Sequence, residues 1–257
     1  MIGLGLSLPT ITQNLNNLAE LGLIDTSKKI SNTGGRNATA YSYIEKARYA
    51  VGLYLNRHHI NCVAVDLSGN VISLIRVREN FDLNDDNYLR KIGETVEEVK
   101  KDTGLPDDRF LGVGIAVQGL ISDDGERVTY GLTLNFTGVT RADIAKYIPY
   151  HNRLFHDSAA AGYAEVWDRN DLDDAFYLSL SNSVGGAVIV ANKIFEGERR
   201  KSGEIGHMTI IPKAGDRCYC GQRGCFDTVC RANVLAEYAD GDLEKFFELL
   251  ETKDLGA

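Results

Sequence analysis

The sequence predicts an α/β protein in two unequal parts, and three observations lead there. Residues 49–117 set apolar, strand-like runs around one amphipathic helix. Residues 7–44 place a helix with a polar face ahead of a glycine-centred hairpin and a further strand-like run. One histidine and three cysteines then cluster between positions 207 and 225, where a metal-braced segment is expected.

The bulk numbers bound these parts. With 257 residues, 44% hydrophobic and 25% charged, the chain can bury one or two ordinary cores and does not have the composition of a disordered polymer. Met1 to Ile24 lacks a basic n-region and a cleavage pattern, and no apolar stretch has the length of a bilayer span, so a cytoplasmic location and no membrane partner are expected. The net charge of −8 argues against a surface that coats nucleic acid throughout. It is unevenly placed: residues 1–48 carry +2 and the remainder −10, as a small DNA-reading head on an acidic ligand-binding body would.

The head comes first. Ser7 is a good N-cap, Pro9 fits the first turn and Gly22 the stop, so one helix is expected between them. Ile11, Leu15 and Leu18 share a face, which leaves Thr10, Thr12, Gln13, Asn14, Asn16 and Asn17 on the other. Hydroxyls and amides there suit base edges and phosphates in a major groove, although an ordinary amphipathic surface helix would show the same pattern. The glycine turn Asn32-Thr33-Gly34-Gly35-Arg36 and the strand-like run Thr39 to Ile44 follow, and helix, hairpin and strand together read as a winged helix-turn-helix.

In the body, Tyr49–Leu55, Ile60–Asp66 and Val71–Val77 read as successive antiparallel strands, with Asp66 to Asn70 as a turn. An amphipathic helix is expected from about Asp86 to Thr103, and Phe110–Val117 is a buried strand with Gly119 opening a loop. Beyond it, Ala175–Leu180 and Ala187–Ala191 read as strands and Val229–Leu250 as largely helical.

His207, Cys218, Cys220 and Cys225 form a tetrahedral zinc set: thiolate and imidazole suit zinc, and four protein ligands make the metal structural. A disulfide framework is the other use of clustered cysteines, but the chain has an odd five and no secretion signal. Cys62 and Cys230 read as packed thiols outside the set.

Gly203-Glu204-Ile205-Gly206-His207 followed by Cys218-x-Cys220-Gly221-x-x-Gly224-Cys225 resembles the ROK family, whose members are sugar kinases and sugar-responsive transcriptional repressors. Gly5-Leu6-Ser7 with Thr10-Ile11, and the wing Gly34-Gly35-Arg36, are similar to the head of its repressors. The resemblance implies an actin-like, ribonuclease H-like sugar-kinase fold over residues 49–257, with a first lobe over about 49–150 and a second over about 151–257. A partial winged helix-turn-helix over 1–48 precedes it. Because the family places two more helices before the recognition helix and continues past residue 257, the resemblance implies an incomplete head and second lobe, and weak operator binding by this polypeptide alone. It implies DNA contacts from Thr10, Thr12, Gln13, Asn14, Asn17 and Arg36, and a homodimer or higher oligomer on paired half-sites.

The resemblance also implies a sugar pocket. Asp157, in a run similar to the family's Asn-Asp-Ala-Asn-Ala-Ala-Ala segment, stands where the kinases keep the general base, though it is equally suited to cap a helix beginning at Ser158. Glu204 and His207 match a sugar-contacting acid and a metal ligand, Asp227 replaces a sugar-contacting Glu, and Gly119 matches a backbone position beside the sugar. The nucleotide side departs from the pattern. Where the kinases carry Asp-x-Gly-Gly-Thr, this chain has Tyr54-Leu55-Asn56-Arg57-His58, and the second glycine loop is reduced to Ser181-Asn182-Ser183-Val184-Gly185-Gly186-Ala187. A sugar-sensing repressor that uses neither ATP nor Mg²⁺ is therefore expected, with an ATP-dependent sugar kinase as the alternative.

Overall fold

The computed structural model describes residues 5–30, 38–167, 169 and 173–252. The head contains α1 (Leu8–Glu20), β1 (Ile24–Asp25), β2 (Lys29–Ile30), β3 (Ala38–Thr39) and β4 (Ser42–Tyr43). Ser7 caps α1 as expected, its hydroxyl accepting from the Thr10 amide. β2 pairs with β3 and β1 with β4, both antiparallel. No residue of α1 is buried: Ile11 and Leu15 are half-covered, and Leu18 is exposed. The expected wing turn, Arg36 included, lies outside the described residues.

The body is built on a five-stranded sheet of β5 (Tyr49–Leu55), β6 (His59–Asp66), β7 (Val71–Arg78), β8 (Phe110–Val117) and a later strand, β11. β5, β6 and β7 form the antiparallel meander, while β8 runs parallel to β5. The meander turns where Asp66 accepts from the Ser68 and Asn70 amides. Alternation along β5 and β6 sends Val51, Leu53, Leu55, Ile60 and Cys62 to one face. The helix α2 (Asp86–Asp102) presents Leu89, Ile92, Val96 and Val99 to the same core at helical spacing. Ile92, Val99, Ile115 and Val117 are fully enclosed, and each such side chain contributes about 1.5–3 kcal/mol of burial.

The short strands β9 (Leu120–Ile121) and β10 (Val128–Tyr130) and the helix α3 (Arg141–Ile144) follow β8. Next comes β11 (Asn152–His156), which pairs in parallel with β8 from Asn152↔Val113 to His156↔Val117. The first sheet therefore runs past residue 150, the lobe boundary expected from the sequence, because β11 adds to the edge of that sheet beside β8 rather than pairing with a strand near it in the chain.

The helix α4 (Asp157–Val166) leads to the second sheet, made of β12 (Ala175–Leu180), β13 (Val184–Val190) and β14 (Lys193–Ile194), all antiparallel. α4 packs on it through Val166 against Ala187 and Ile189. Gly162 permits the approach, since a Cβ there would lie 2.8 Å from the Ala187 Cβ. The chain closes with α5 (Asp227–Cys230), α6 (Ala232–Glu237) and α7 (Leu243–Thr252). The helix expected over Val229–Leu250 is thus broken, with Asp240 at φ 58° and Gly241 at φ 89° between α6 and α7.

Asp86 ties α2 to the segment after α3. It accepts from Lys146 Nζ at 2.6 Å and from the Tyr147 hydroxyl at 2.8 Å, which hold its carboxyl down at about 2. That folded value lies below an ordinary aspartate's, so the stability it contributes is complete above pH of about 4 and is lost as pH falls toward 2. Asp86→Asn is expected to lower the thermal midpoint by roughly 1–4 °C at pH 6, with the gap to wild type closing on acidification in melts run down to pH 2.5.

Candidate sugar and metal site

One side of the site comes from the ends of regular elements. β8 ends into Gln118 and Gly119, β11 ends at His156, and Asp157 opens α4 directly behind it. The loop between β12 and β13 brings Ser181, Ser183 and Val184, and the segment Gly203–His207 closes the opposite side. Together with Tyr130, Thr133 and Tyr219 these residues line one cleft, which with its open mouth measures about 570 Å³. Gly119 allows the tight turn at its floor, since a Cβ would sit 2.8 Å from the Tyr130 carbonyl.

Asp157 lies half-buried at this floor. Burial pushes its carboxyl above the ordinary range, partly offset by His156, whose Nε2 is 3.5 Å from Oδ1, and by the Ser158 amide, which donates to Oδ1 at 2.7 Å. The helix begins one residue earlier than a cap at Asp157 requires: His156 is the N-cap residue and Asp157 the first helical position. Its charge still faces the positive end of α4. The Tyr54 phenol, pushed up to about 12 by its own burial and then by the charge of Asp157, stands at the same end with Gln118 Nε2 donating to its oxygen at 3.3 Å.

On the far wall, one ligand atom each from His207, Cys218, Cys220 and Cys225 lies within 4.8 Å of all the others. His207 Nδ1 is 3.5 Å from Cys218 Sγ, and the Cys220 and Cys225 sulfurs are 3.7 Å apart. A disulfide needs about 2.05 Å. Tetrahedral bonds of about 2.3 Å to sulfur and 2.0–2.1 Å to nitrogen place neighbouring ligands about 3.5–3.8 Å apart, so the donors and their spacing fit a metal ion. Cys62, enclosed in the first core, has its thiol pushed up to about 12 by burial, and neither it nor Cys230 joins the set. The other ring nitrogen of His207, Nε2, faces Glu204 Oε2 at 3.7 Å, so Glu204 both lines the cleft and backs a ligand. Gly206 allows that wall to lie against β13, where a Cβ would run into the Val184 carbonyl.

Asp227 is a correction. The sequence reading gave it to the sugar, but it does not line the cleft: it is 1% exposed, and its Oδ1 accepts from the Val184 amide at 2.7 Å. Its carboxylate turns instead to the start of β13, where the Val184 amide donates to it. The expected cleft residues Gly119, Asp157, Glu204 and His207 do converge.

The same capping occurs in the β5–β6 turn, where Asn56 Oδ1 accepts from the backbone amides of His58 at 3.0 Å and His59 at 2.9 Å. An Asn placed two residues before a turn amide is a readable Asx signal, and the sequence reading passed over it. It also passed over Arg200, which joins the two sides of the molecule: Nη1 donates to the Ser122 carbonyl at 3.0 Å, and Nε is 3.3 Å from Asp123.

The expected DNA-reading residues Thr10, Thr12, Gln13, Asn14 and Asn17 are all exposed on α1. Thr12 Oγ1 turns back to the Leu8 carbonyl and Gln13 Nε2 donates to Asn17 Oδ1, so part of this set is already engaged within the helix. No helix among the described residues is long and apolar enough to cross a membrane.

The sequence profile of the ROK family matches residues 50–253. The xylose repressor of Bacillus subtilis is 26% identical over 246 residues, which cover 90% of this chain and 60% of the repressor. Among solved structures, a ROK family transcriptional regulator homologous to the E. coli MLC protein superposes with a TM-score of 0.71 at 21% identity, over 92% of this chain and 62% of that one. A ROK family glucokinase from Streptomyces griseus, in complex with glucose and AMPPNP, superposes with a TM-score of 0.63 at 19% identity, over 81% of this chain and 72% of that one. These superpositions establish the actin-like sugar-kinase fold. The chain spans about three fifths of the length of the repressor it matches.

Proposed function

This chain belongs to the ROK family, and from that premise we propose that the protein is a sugar-responsive transcriptional regulator, a repressor, whose kinase-derived cleft senses a sugar without phosphorylating it. The observation that carries this reading is the state of the two loops that bind phosphates in the kinases. Backbone donors there are already capped from within, His58 and His59 by Asn56 and Val184 by Asp227. Tyr54 stands in place of the metal-orienting carboxylate, so neither bare amides nor a Mg²⁺ ligand is offered to a polyphosphate.

The sugar wall is retained. Asp157 and Glu204 accept from sugar hydroxyls, Gly119 lets the ring approach the backbone, and His207 with Cys218, Cys220 and Cys225 would hold a structural zinc ion. That ion supplies no chemistry beyond fastening the Glu204 segment to the cysteine loop. Asp227 acts from behind, fixing the loop that forms the other rim. The kinase reading is favoured by the glucokinase superposition and by Asp157, a relic of the general base, and opposed by both loops.

The head, read as a partial winged helix-turn-helix, brings Thr10, Thr12, Gln13, Asn14 and Asn17 to an operator, with Arg36 in the wing. Two copies, acting in the cytoplasm as a homodimer or higher assembly, would read two half-sites. Sugar can alter such binding only through its differential affinity for two arrangements of the lobes. Calorimetry with hexoses, pentoses and N-acylated sugars tests the cleft. Glu204→Ala and Asp157→Ala are each expected to weaken binding by about 10- to 100-fold, as loss of a hydrogen bond to a charged group does. Unchanged affinity in both variants places the ligand elsewhere.

A further inference from the structure

We infer that the effector is an uncharged, unphosphorylated sugar, and that the cleft discriminates against sugar phosphates and sugar acids. The inference rests on the sugar-sensing reading above and narrows it to one chemical class.

The charge balance of the cleft carries it. Among the described residues that line it are two carboxylates, Asp157 and Glu204, and no lysine or arginine. The half-buried Asp157 carboxylate has one oxygen occupied by the Ser158 amide, so a second anion placed beside it meets repulsion. The donors that could offset this are engaged. The N-terminus of α4, a ten-residue helix, is already faced by Asp157 itself. His156 is paired with the same carboxylate at 3.5 Å. Arg57 donates to the Thr133 carbonyl at 2.7 Å without itself lining the cleft.

Three backbone donors of the adjoining turns, the amides of His58, His59 and Val184, are also engaged. Asn56 and Asp227 cap them, and the Tyr54 phenol and Gln118 amide stand together beside Asp157. What remains suits hydroxyl groups. Carboxylate oxygens accept charge-assisted bonds from sugar O–H groups, while the hydroxyls of Ser181 and Ser183 can donate to or accept from ring substituents.

The test is calorimetry on the full chain at two salt concentrations with matched pairs: glucose against glucose 6-phosphate and gluconate, and N-acetylglucosamine against its 6-phosphate. The neutral member of each pair is expected to bind at least about tenfold more tightly, because like charges placed together in a binding site are strongly unfavourable. Asp157→Asn and Glu204→Gln are expected to narrow that ratio at least about threefold, a change in selectivity that a merely structural loss would not produce. A charged member that binds as tightly as its neutral partner, or a ratio untouched in both variants, overturns the inference and leaves the sugar-sensing reading standing. Absence of binding by every sugar, neutral and charged, overturns both.

Discussion

Cys225→Ser will empty the metal site and lower the thermal midpoint by roughly 8–16 °C. A ligand present at about 1,000 times its Kd stabilises the folded state by about 4 kcal/mol, and each kcal/mol moves the midpoint of a chain this size by about 2–4 °C. The loss is large because the wall is otherwise tied chiefly by turn hydrogen bonds and the isolated bridges Thr209–Cys225 and Arg217–Arg223. Between His207 and Cys225 the chain forms no regular helix or strand, and the four donors converge from three separate short segments. A chelator should reproduce the shift in the wild type and leave the variant unmoved, with metal content read by elemental analysis. Cys230→Ser is the control, since that thiol lies outside the donor set. Retention of one equivalent of metal by the Cys225 variant would show that the ligands have been misassigned.

Local chemistry was legible in the sequence, and long-range pairing was not. Ser7, Pro9 and Gly22 delimited α1 because caps act within one turn. The strand bounds of β5 and β8 follow from short apolar runs, and Tyr49–Leu55 and Phe110–Val117 agree with the observed strands end to end. The donor set His207, Cys218, Cys220 and Cys225 was readable because metal ligands of this kind come in short, characteristic spacings.

The errors fall where distant residues decide. β11 joined the first sheet through a parallel pairing with β8 that no nearby residue dictates. Asp227 was read as a sugar ligand from its place in a motif, whereas a loop amide 43 residues away claims its carboxylate. Asn56 and the break at Asp240-Gly241 are different: both carry local turn signals, an Asx residue ahead of a turn amide in the first and an Asp-Gly pair between apolar helical runs in the second.

The second large effect concerns phosphoryl transfer. Kinases of known mechanism turn over at about 1–100 s⁻¹ by positioning and electrostatic stabilisation of the transferred group, and loss of a single preorganised donor costs about 10²–10³ in rate. Here the first loop has Tyr54 in place of a carboxylate and its His58 and His59 amides bound to Asn56. The second has its Val184 amide bound to Asp227. A phosphate approaching either loop must displace an existing hydrogen bond and gains no Mg²⁺ ligand in exchange. Coupled assays of ADP release with the full sugar panel are therefore expected to stay at the rate of the buffer control.

Both expectations follow from one claim, that the cleft has kept its carbohydrate wall and lost its nucleotide cradle. The measurement that bears on it most directly is a pair of calorimetric titrations of the metal-loaded protein, one with the best-binding sugar and one with Mg-ATP in the presence of that sugar. Saturable sugar binding with no heat from Mg-ATP is the expected result. Mg-ATP that binds stoichiometrically, with the loss of that binding in a variant altered at Tyr54 or Asn56, would contradict it.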